Sequence, residues 1–149
     1  FQLVVYVDKP SRSTHLALVC GAIDPARETL VRVHEPTSLL DLIDTDARTH
    51  SWTFARSLAT IAQAGAGVVV LLNCGESAEQ LLGRAKDFLA HDGQARPTPR
   101  AAKMDLRTYG VGAQILRDLN VGRMKLLARP RKMPSMTGFG LQTTGYLEA

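Results

Sequence analysis

The chain begins with apolar, strand-like runs and changes to helical spacing further along. The segments with strand-like patterns lie at residues 1–8, 15–23, 28–34 and 66–75. The segments with helical spacing in the first two thirds lie at residues 51–65 and 77–91. Ser51 is expected to cap the first of these helices and Gly65 to end it. The pattern therefore predicts strands first, followed by alternating strands and helices.

The last third continues this alternation. A helix is predicted at residues 107–119, a strand at 123–128 and a closing strand at 138–147. Residues 35–50 are expected to be irregular and acidic, and residues 92–103 to form a polar loop that contains prolines. This order of elements predicts one domain over residues 1–149, of α/β (α+β) class, with a mixed β-sheet layered with helices.

Composition and charge narrow the kind of partner. No apolar run approaches the length of a membrane span, so no membrane partner is expected. Residues 1–92 hold 8 basic and 11 acidic side chains, net −3, and residues 93–149 hold 10 basic and 3 acidic, net +7. A basic half indicates either an anionic partner or a solvated basic surface. Cys20 and Cys74 lie in apolar surroundings, which suits buried thiols in a reducing cytoplasm.

The stretch MDLRTYGVGAQILRDLNVGRMKLLARPRK (104–132) carries the candidate chemistry. Asp105 is placed to cap the predicted helix, and Arg107 adds positive charge to its N-terminal end, which is unfavourable without an anion. Gly110 and Gly112 each cost about 1 kcal/mol relative to alanine in a helix, which suggests that something approaches this backbone closely. Either the helix is an ordinary capped one with a solvated arginine, or it borders a phosphate site. The basic RPRK at 129–132 leaves the same two interpretations open.

The acidic segment raises a metal question. The residues concerned are Asp41, Asp44 and Asp46, with His34, Glu35 and His50 nearby. Their spacing matches no EF-hand or zincin pattern, so a solvated acidic loop is the favoured interpretation.

The segment DLRTYGVGAQILRDLNVGRMKLLARPRKMPSMTGFGLQ (105–142) resembles the C-terminal part of GTP cyclohydrolase II, an enzyme of riboflavin biosynthesis. The resemblance extends more weakly to HLALVCGAI, LVRVHE and GVVVLL. It implies a reaction in which a zinc-activated water opens the guanine imidazole ring, formate is released and pyrophosphate is cleaved. The family often forms the C-terminal half of a bifunctional protein, behind a 3,4-dihydroxy-2-butanone 4-phosphate synthase domain. Phe1 falls where that second half would begin, so the chain is expected to be a fragment.

The resemblance assigns roles to particular residues. Arg107 matches the arginine thought to attack the α-phosphorus, and Asp105 matches its proton acceptor. The nucleotide- or phosphate-binding positions implied by the resemblance are Arg32, His34, Tyr109 and Lys132.

Several family positions are changed. The three zinc-binding cysteines of the family correspond to Thr37, Arg48 and His50, which are not a usable set of zinc ligands. The family's L-L-T-N-N-P-R-K is LLARPRK here, so its threonine corresponds to Ala128 and the contact of that threonine is lost. The family's E-G-R loop aligns with Gly75, Glu76 and Ser77, so its arginine is missing. Residues 92–104 also look shortened.

These departures predict a domain that no longer opens GTP and acts as the structural or regulatory C-terminal part of the synthase. No cofactor is expected in it; the family uses zinc, and the synthase domain would use magnesium. The expected partners are the N-terminal synthase domain, a second copy in a homodimer, and a nucleotide or phosphorylated small molecule. No nucleic-acid partner is expected, because aromatics are few and no basic–aromatic surface is interleaved. The location is expected to be cytoplasmic. Two alternatives stay open: an active or altered cyclohydrolase with a metal bound by His34, Glu35 and His50, and a nucleotide- or flavin-sensing module.

Overall fold

The structure is a computed structural model, and it describes residues 1–35, 39–43, 51–90, 106–130 and 132–149. The strands are β1 (Gln2–Val7), β2 (Thr14–Cys20), β3 (Glu28–His34), β4 (Gly67–Leu71), β5 (Arg123–Leu127) and β6 (Gln142–Leu147). The helices are α1 (Leu39–Ile43), α2 (Phe54–Ala64), α3 (Ala78–Ala90) and α4 (Leu106–Asp118), with a 3₁₀ turn at Thr137–Phe139. Asp105 and the residues at the family's cysteine positions, Thr37, Arg48 and His50, lie outside the described residues, as does the predicted loop 92–103.

The six strands of the described chain form one mixed sheet in the order β1-β2-β4-β3-β5-β6. β2 is antiparallel to both of its neighbours, whereas β3 is parallel to β4 and β5, and β5 is parallel to β6. The predicted α/β class with a mixed, helix-layered sheet is confirmed. A parallel core with an antiparallel pair at one edge places the carboxyl ends of β3, β4 and β5 together.

Each face of the central strand β4 packs against a different helix. Val68 and Val70 belong to the cluster that contains Ala113 and Leu116 of α4. Val69 and Leu71 belong to a second cluster, which contains Trp52 and Ile61. All five β4 residues are buried, as expected for the uniformly apolar run of a strand covered on both sides. The fold is therefore a three-layer sandwich of helix, sheet and helix.

The start of α2 differs from the prediction. The cap is Thr53, not Ser51: its side chain accepts a hydrogen bond from the Arg56 amide at 3.2 Å. The physical reason is Trp52, which is buried and donates from its indole nitrogen to the Leu147 carbonyl at 2.9 Å, so the chain is held to the sheet just before the helix begins. The predicted end is confirmed, because Gly65 adopts φ 79° and closes the helix.

Three further predictions need correction. Residues 39–43, expected to be irregular, form the short helix α1, whose Leu42 packs against the Trp52 cluster. β2 ends at Cys20 because Gly21 has φ 68° and lies against the Gly65 carbonyl, where a Cβ would be only 2.2 Å from that oxygen. β6 begins at Gln142 because the 3₁₀ turn and Gly140 (φ 69°) precede it.

Two surface features complete the fold. The side chains of β1 that point away from α4 are exposed, and they are Leu3, Val5 and Val7. The thiols of Cys20 and Cys74 are free and half-buried, not fully buried as predicted. Within the described part of the chain, none of the helices has the length and hydropathy that a membrane span requires.

Candidate functional site

The candidate site lies at the edge of the sheet where β3 and β4 end. Because β2 is antiparallel to β4, the hairpin between β1 and β2 reaches the same edge. Two backbone hydrogen bonds tie these segments together: Leu72 donates to the His34 carbonyl and Cys74 donates to the Thr14 carbonyl, each at 2.9 Å. The hairpin is therefore part of the site's wall, although it is distant from the motif 104–132 in sequence.

Asn73 turns the chain directly after β4. It adopts φ 56°, a left-handed conformation that asparagine tolerates better than most residues. Its side-chain amide donates to Glu35 Oε1 at 2.8 Å, and its backbone N–H donates to His15 Nδ1 at 3.0 Å. The turn thus fixes the orientation of the buried His15 ring. Burial lowers the pKa of this imidazole, an effect that the nearby Asp8 carboxylate opposes.

Arg107 meets the hairpin from the first turn of α4. Its Nη2 lies 3.2 Å from Asp8 Oδ2 in an ion pair, and the Arg107 side chain remains 61% exposed. Asp8 also accepts a hydrogen bond from the Ser11 hydroxyl. This bond first, and Arg107 second, hold the pKa of the Asp8 carboxyl below its ordinary value. The expected catalytic arginine is therefore already paired with an anionic group.

A polar pocket of about 180 Å³ surrounds this ion pair. We call it the hairpin pocket, and it is lined by Asp8, Ser11, Ser13, His15, Leu72, Asn73, Arg107, Thr108 and Val111. On the same measure a single water needs only about 10–15 Å³, so the pocket has room for a polyatomic group. Hydroxyl, imidazole and guanidinium groups converge there.

Two of the predicted nucleotide-binding residues, Arg32 and His34, lie on β3. They are in register with Val69 and Leu71, which belong to the Trp52 cluster, so their side chains lie on the face of the sheet that α2 covers. Arg32 and His34 are both buried; Arg32 donates to the Leu127 carbonyl at 3.0 Å, and its Nη2 lies 3.4 Å from His34 Nδ1. A second, narrow cavity of about 40 Å³ is bordered by Arg32 and Tyr109, together with Thr108, Gly112, Ala128 and Met133. That space holds a few waters and is far too small for a nucleotide. Thr108 borders both cavities, so the two lie on either side of the α4 entrance.

Lys132 is exposed, and neither the hairpin pocket nor the narrow cavity includes it among its lining residues. The structure therefore brings Arg32 and His34 together on one face of the sheet, whereas Tyr109 and Arg107 belong to α4, which packs on the other face. Glu76, from the segment aligned with the family's E-G-R loop, instead accepts from the Leu39 amide at 3.2 Å and pairs with Arg84 at 3.4 Å.

The two helix glycines do not show the close approach that the sequence suggested. A Cβ on Gly112 would lie 3.7 Å from Leu72 and 3.8 Å from Val33, and one on Gly110 would lie 3.9 Å from Phe139. These are ordinary van der Waals distances among the described residues. The inner face of α4 packs on the sheet: Ile115 is buried, and Val111 and Leu119 are half-buried against the same cluster.

The family's zinc site does not fit this chain. The sequence has two cysteines in all, and a three-thiolate site needs three. Cys20 pairs with Gly67 at the start of β4, whereas Cys74 follows the end of β4. The two thiols therefore lie at opposite ends of this strand. Among the described residues, no group of three His, Cys, Asp or Glu side chains could hold a metal ion.

Comparison with known proteins identifies the class. A sequence model of GTP cyclohydrolase II matches residues 1–148, and the chain belongs to that family. It is 45% identical over 149 residues to the 3,4-dihydroxy-2-butanone 4-phosphate synthase of Neisseria meningitidis serogroup A, covering 100% of this chain and 39% of the relative. It is 37% identical over 152 residues to the synthase of the same name from Pseudomonas aeruginosa (100% of this chain, 40% of the relative).

A third relative is the riboflavin biosynthesis protein RibBA of Cytophaga hutchinsonii. It is 31% identical over 150 residues, which cover 97% of this chain and 37% of the relative. The chain thus spans about two fifths of the length of these relatives. It is a GTP cyclohydrolase II-like domain.

Sequence reasoning missed Asp8, His15 and Asn73. A signal was available for His15, since a histidine inside an apolar strand must find polar partners when it is buried. Nothing local indicated that Asp8 would meet Arg107, because the two lie 99 positions apart.

Proposed function

We propose that this domain does not open GTP and serves as the structural or regulatory C-terminal domain of a 3,4-dihydroxy-2-butanone 4-phosphate synthase. The observation that carries the proposal is the position of the two cysteines at opposite ends of β4, which leaves no thiolate set for zinc. Without a Lewis acid, water keeps a pKa far too high to act as a nucleophile at neutral pH. The names of the relatives from Neisseria and Pseudomonas support the connection with the synthase.

The phosphate side of the site supports a retained anion-binding role. Arg107 presents an exposed guanidinium beside hydroxyl and imidazole groups, a combination suited to phosphate oxygens. We assign Arg107 as the principal anion ligand, with Asp105 as a remnant of the catalytic pair. Arg32, His34, Tyr109 and Lys132 are proposed to be remnants of the nucleotide site. This assignment also accommodates the alternative of a nucleotide- or flavin-sensing module.

The altered cyclohydrolase with His34, Glu35 and His50 as metal ligands has less support. Asn73 donates to Glu35, and His34 lies within 3.4 Å of Arg32, a cation that disfavours a metal ion. Metal analysis of the purified protein distinguishes this alternative, since it requires a transition metal near one per chain.

The proposed partners are the synthase domain within the same polypeptide and a second copy in a homodimer. The expected cytoplasmic location stays a prediction. For the synthase connection, the test is dihydroxybutanone phosphate synthase activity of the protein that contains this chain.

Calorimetric titration with GTP tests the anion-binding role. Binding that Arg107→Ala weakens at least tenfold is expected, because a charged hydrogen-bonding group is removed. Arg117→Ala, on the last turn of the same helix, is the matched control and should leave GTP affinity unchanged. Equal GTP affinity of the wild type and Arg107→Ala would remove Arg107 from the site.

A further inference from the structure

The His15 ring has a defined tautomer. Its Nδ1 accepts a hydrogen bond from the backbone N–H of Asn73 at 3.0 Å, so this nitrogen carries the lone pair. Burial keeps the imidazole neutral, and a neutral ring then bears its proton on Nε2. His15 thus presents an Nε2–H donor.

That donor has no internal partner. The His15 side chain is 3% exposed, and Nε2 makes no hydrogen bond within the part of the chain that the structure describes. The large majority of buried polar groups in proteins are hydrogen-bonded, by protein, water or ligand. Because His15 lines the hairpin pocket, a group bound in that pocket can accept the bond.

The other polar groups of the pocket complement His15. Arg107 supplies guanidinium donors, and the Ser11 and Ser13 hydroxyls lie on the same hairpin, 2.9 Å from each other. Asp8 is the carboxylate among the lining residues, and it occupies both Arg107 and Ser11. Arg107 is mostly exposed, and ion pairs with an exposed partner are weak. Asp8 therefore occupies the position beside the Arg107 guanidinium that an external oxyanion would occupy.

We propose that the hairpin pocket binds a phosphate group, that His15 Nε2–H is one of its ligand-contacting donors, and that Asp8 is the internal anion which the phosphate displaces from Arg107. This inference rests on the proposed anion-binding role and adds its specificity-determining residues. The shared chemistry is a tetrahedral oxyanion, present as free phosphate or as the phosphate of a monoester. Asp8 lowers the affinity for phosphate, since the ligand must compete with this carboxylate for the Arg107 guanidinium.

Titration of the purified protein with inorganic phosphate, and separately with glycerol 3-phosphate, tests the proposal. His15→Asn places an amide oxygen where Nδ1 was, which preserves the bond from Asn73 and removes the Nε2 donor. We expect its phosphate affinity to fall about fivefold to tenfold. His15→Gln places an amide nitrogen near Nε2 and should stay within about twofold of the wild type.

Asp8→Asn should have the opposite effect. Removal of the Asp8 carboxylate frees Arg107 and also removes a negative charge that repels the phosphate. Phosphate affinity should therefore rise about threefold to tenfold. Asp24→Asn makes the same charge change in the β2–β3 loop, at the other edge of the sheet, and should leave affinity within about twofold. Comparison of the two probes shows whether a free phosphate or a monoester is preferred.

A spectroscopic readout separates ligand contact from a structural role. In long-range ¹H–¹⁵N spectra, phosphate should shift the His15 Nε2–H resonance, whereas Nδ1 should keep its lone-pair signature. If Arg107→Ala abolishes binding but the His15 and Asp8 variants match the wild type, the roles of His15 and Asp8 are wrong and the anion site stands. If binding is insensitive to Arg107→Ala, or is missing from both the wild type and Asp8→Asn, the anion site itself is wrong.

Discussion

At the residue scale, Asn73 and His15 show how one turn determines the chemistry of a neighbouring ring. The left-handed turn at Asn73 directs its backbone N–H to His15 Nδ1, and burial does the rest by keeping the imidazole neutral. Asn73, 58 positions away in sequence, thereby determines that the donor of His15 is Nε2–H. The resemblance of the segment 104–132 pointed to Arg107, but only the fold placed Asp8 and His15 beside it.

His15 also predicts a pH dependence of stability. Burial lowers its folded-state pKa from 6.5. Below pH 6.5 the imidazole of His15 is therefore protonated more readily in the unfolded chain than in the folded protein. Stability from this group is full above pH 6.5 and is lost as the pH falls toward the folded-state pKa. Thermal unfolding at pH 7.5 and 5.5 should show a smaller loss of Tm on acidification in His15→Asn than in the wild type.

Protonation of carboxylates also lowers Tm on acidification. The wild type and His15→Asn share these carboxylates, so the difference between their losses of Tm isolates the contribution of His15. An identical loss in the wild type and the variant would show that burial does not disfavour the charged imidazole.

At the scale of elements, the sequence pattern located most strands and helices because each carries apolar residues at the spacing of its own secondary structure. β3 was predicted with its observed bounds, Glu28–His34, and α4 within one residue at each end. The start of α2 could not be predicted, since the hydrogen bond that anchors Trp52 comes from Leu147 at the opposite end of the chain. α1 was not predicted, because a helix of five residues is too short to show helical periodicity within an acidic segment.

Thr53 gives a direct measure of the cap on α2. Thr53→Ala removes the acceptor for the Arg56 amide and should lower the free energy of unfolding by about 1 kcal/mol, measured by urea denaturation. Thr60→Ala makes the same substitution at a half-buried interior position of the same helix. It should change stability less, because the higher helix propensity of alanine offsets the small loss of packing. Equal losses in the two variants would mean that the cap contributes nothing beyond an ordinary threonine side chain.

Gly67 tests the packing of α2 on the sheet. A Cβ at this position would lie 2.8 Å from both the Leu30 carbonyl oxygen and Ile61 Cγ2. Gly67→Ala is therefore expected to destabilise the protein by about 1–3 kcal/mol. Gly145→Ala in β6 meets no atom within 4 Å among the described residues and should change stability little. A tolerated Gly67→Ala would show that α2 can move away from β4 at low cost.

At the scale of the whole molecule, the fold brings a residue of the family motif into a pocket with a distant segment: Arg107 lines the hairpin pocket with residues of the β1–β2 hairpin. The loss of the family's zinc-binding thiolates stays a prediction from the sequence, which holds two cysteines. The sequence was sufficient to predict the family, because the motif that carries the resemblance is visible in it. The internal pairing of Arg107 with Asp8 was not predictable, since it depends on how the antiparallel edge of the sheet meets α4.

We propose above all that this domain binds an anion but does not open GTP. Release of labelled formate from GTP carrying ¹⁴C at C8, with the purified protein in excess and zinc supplied, tests this proposal. We predict no formate above a protein-free control, together with GTP binding that depends on Arg107. Stoichiometric formate that disappears in Arg107→Ala would show that the domain is an active cyclohydrolase, and the proposed loss of GTP ring opening would then be wrong.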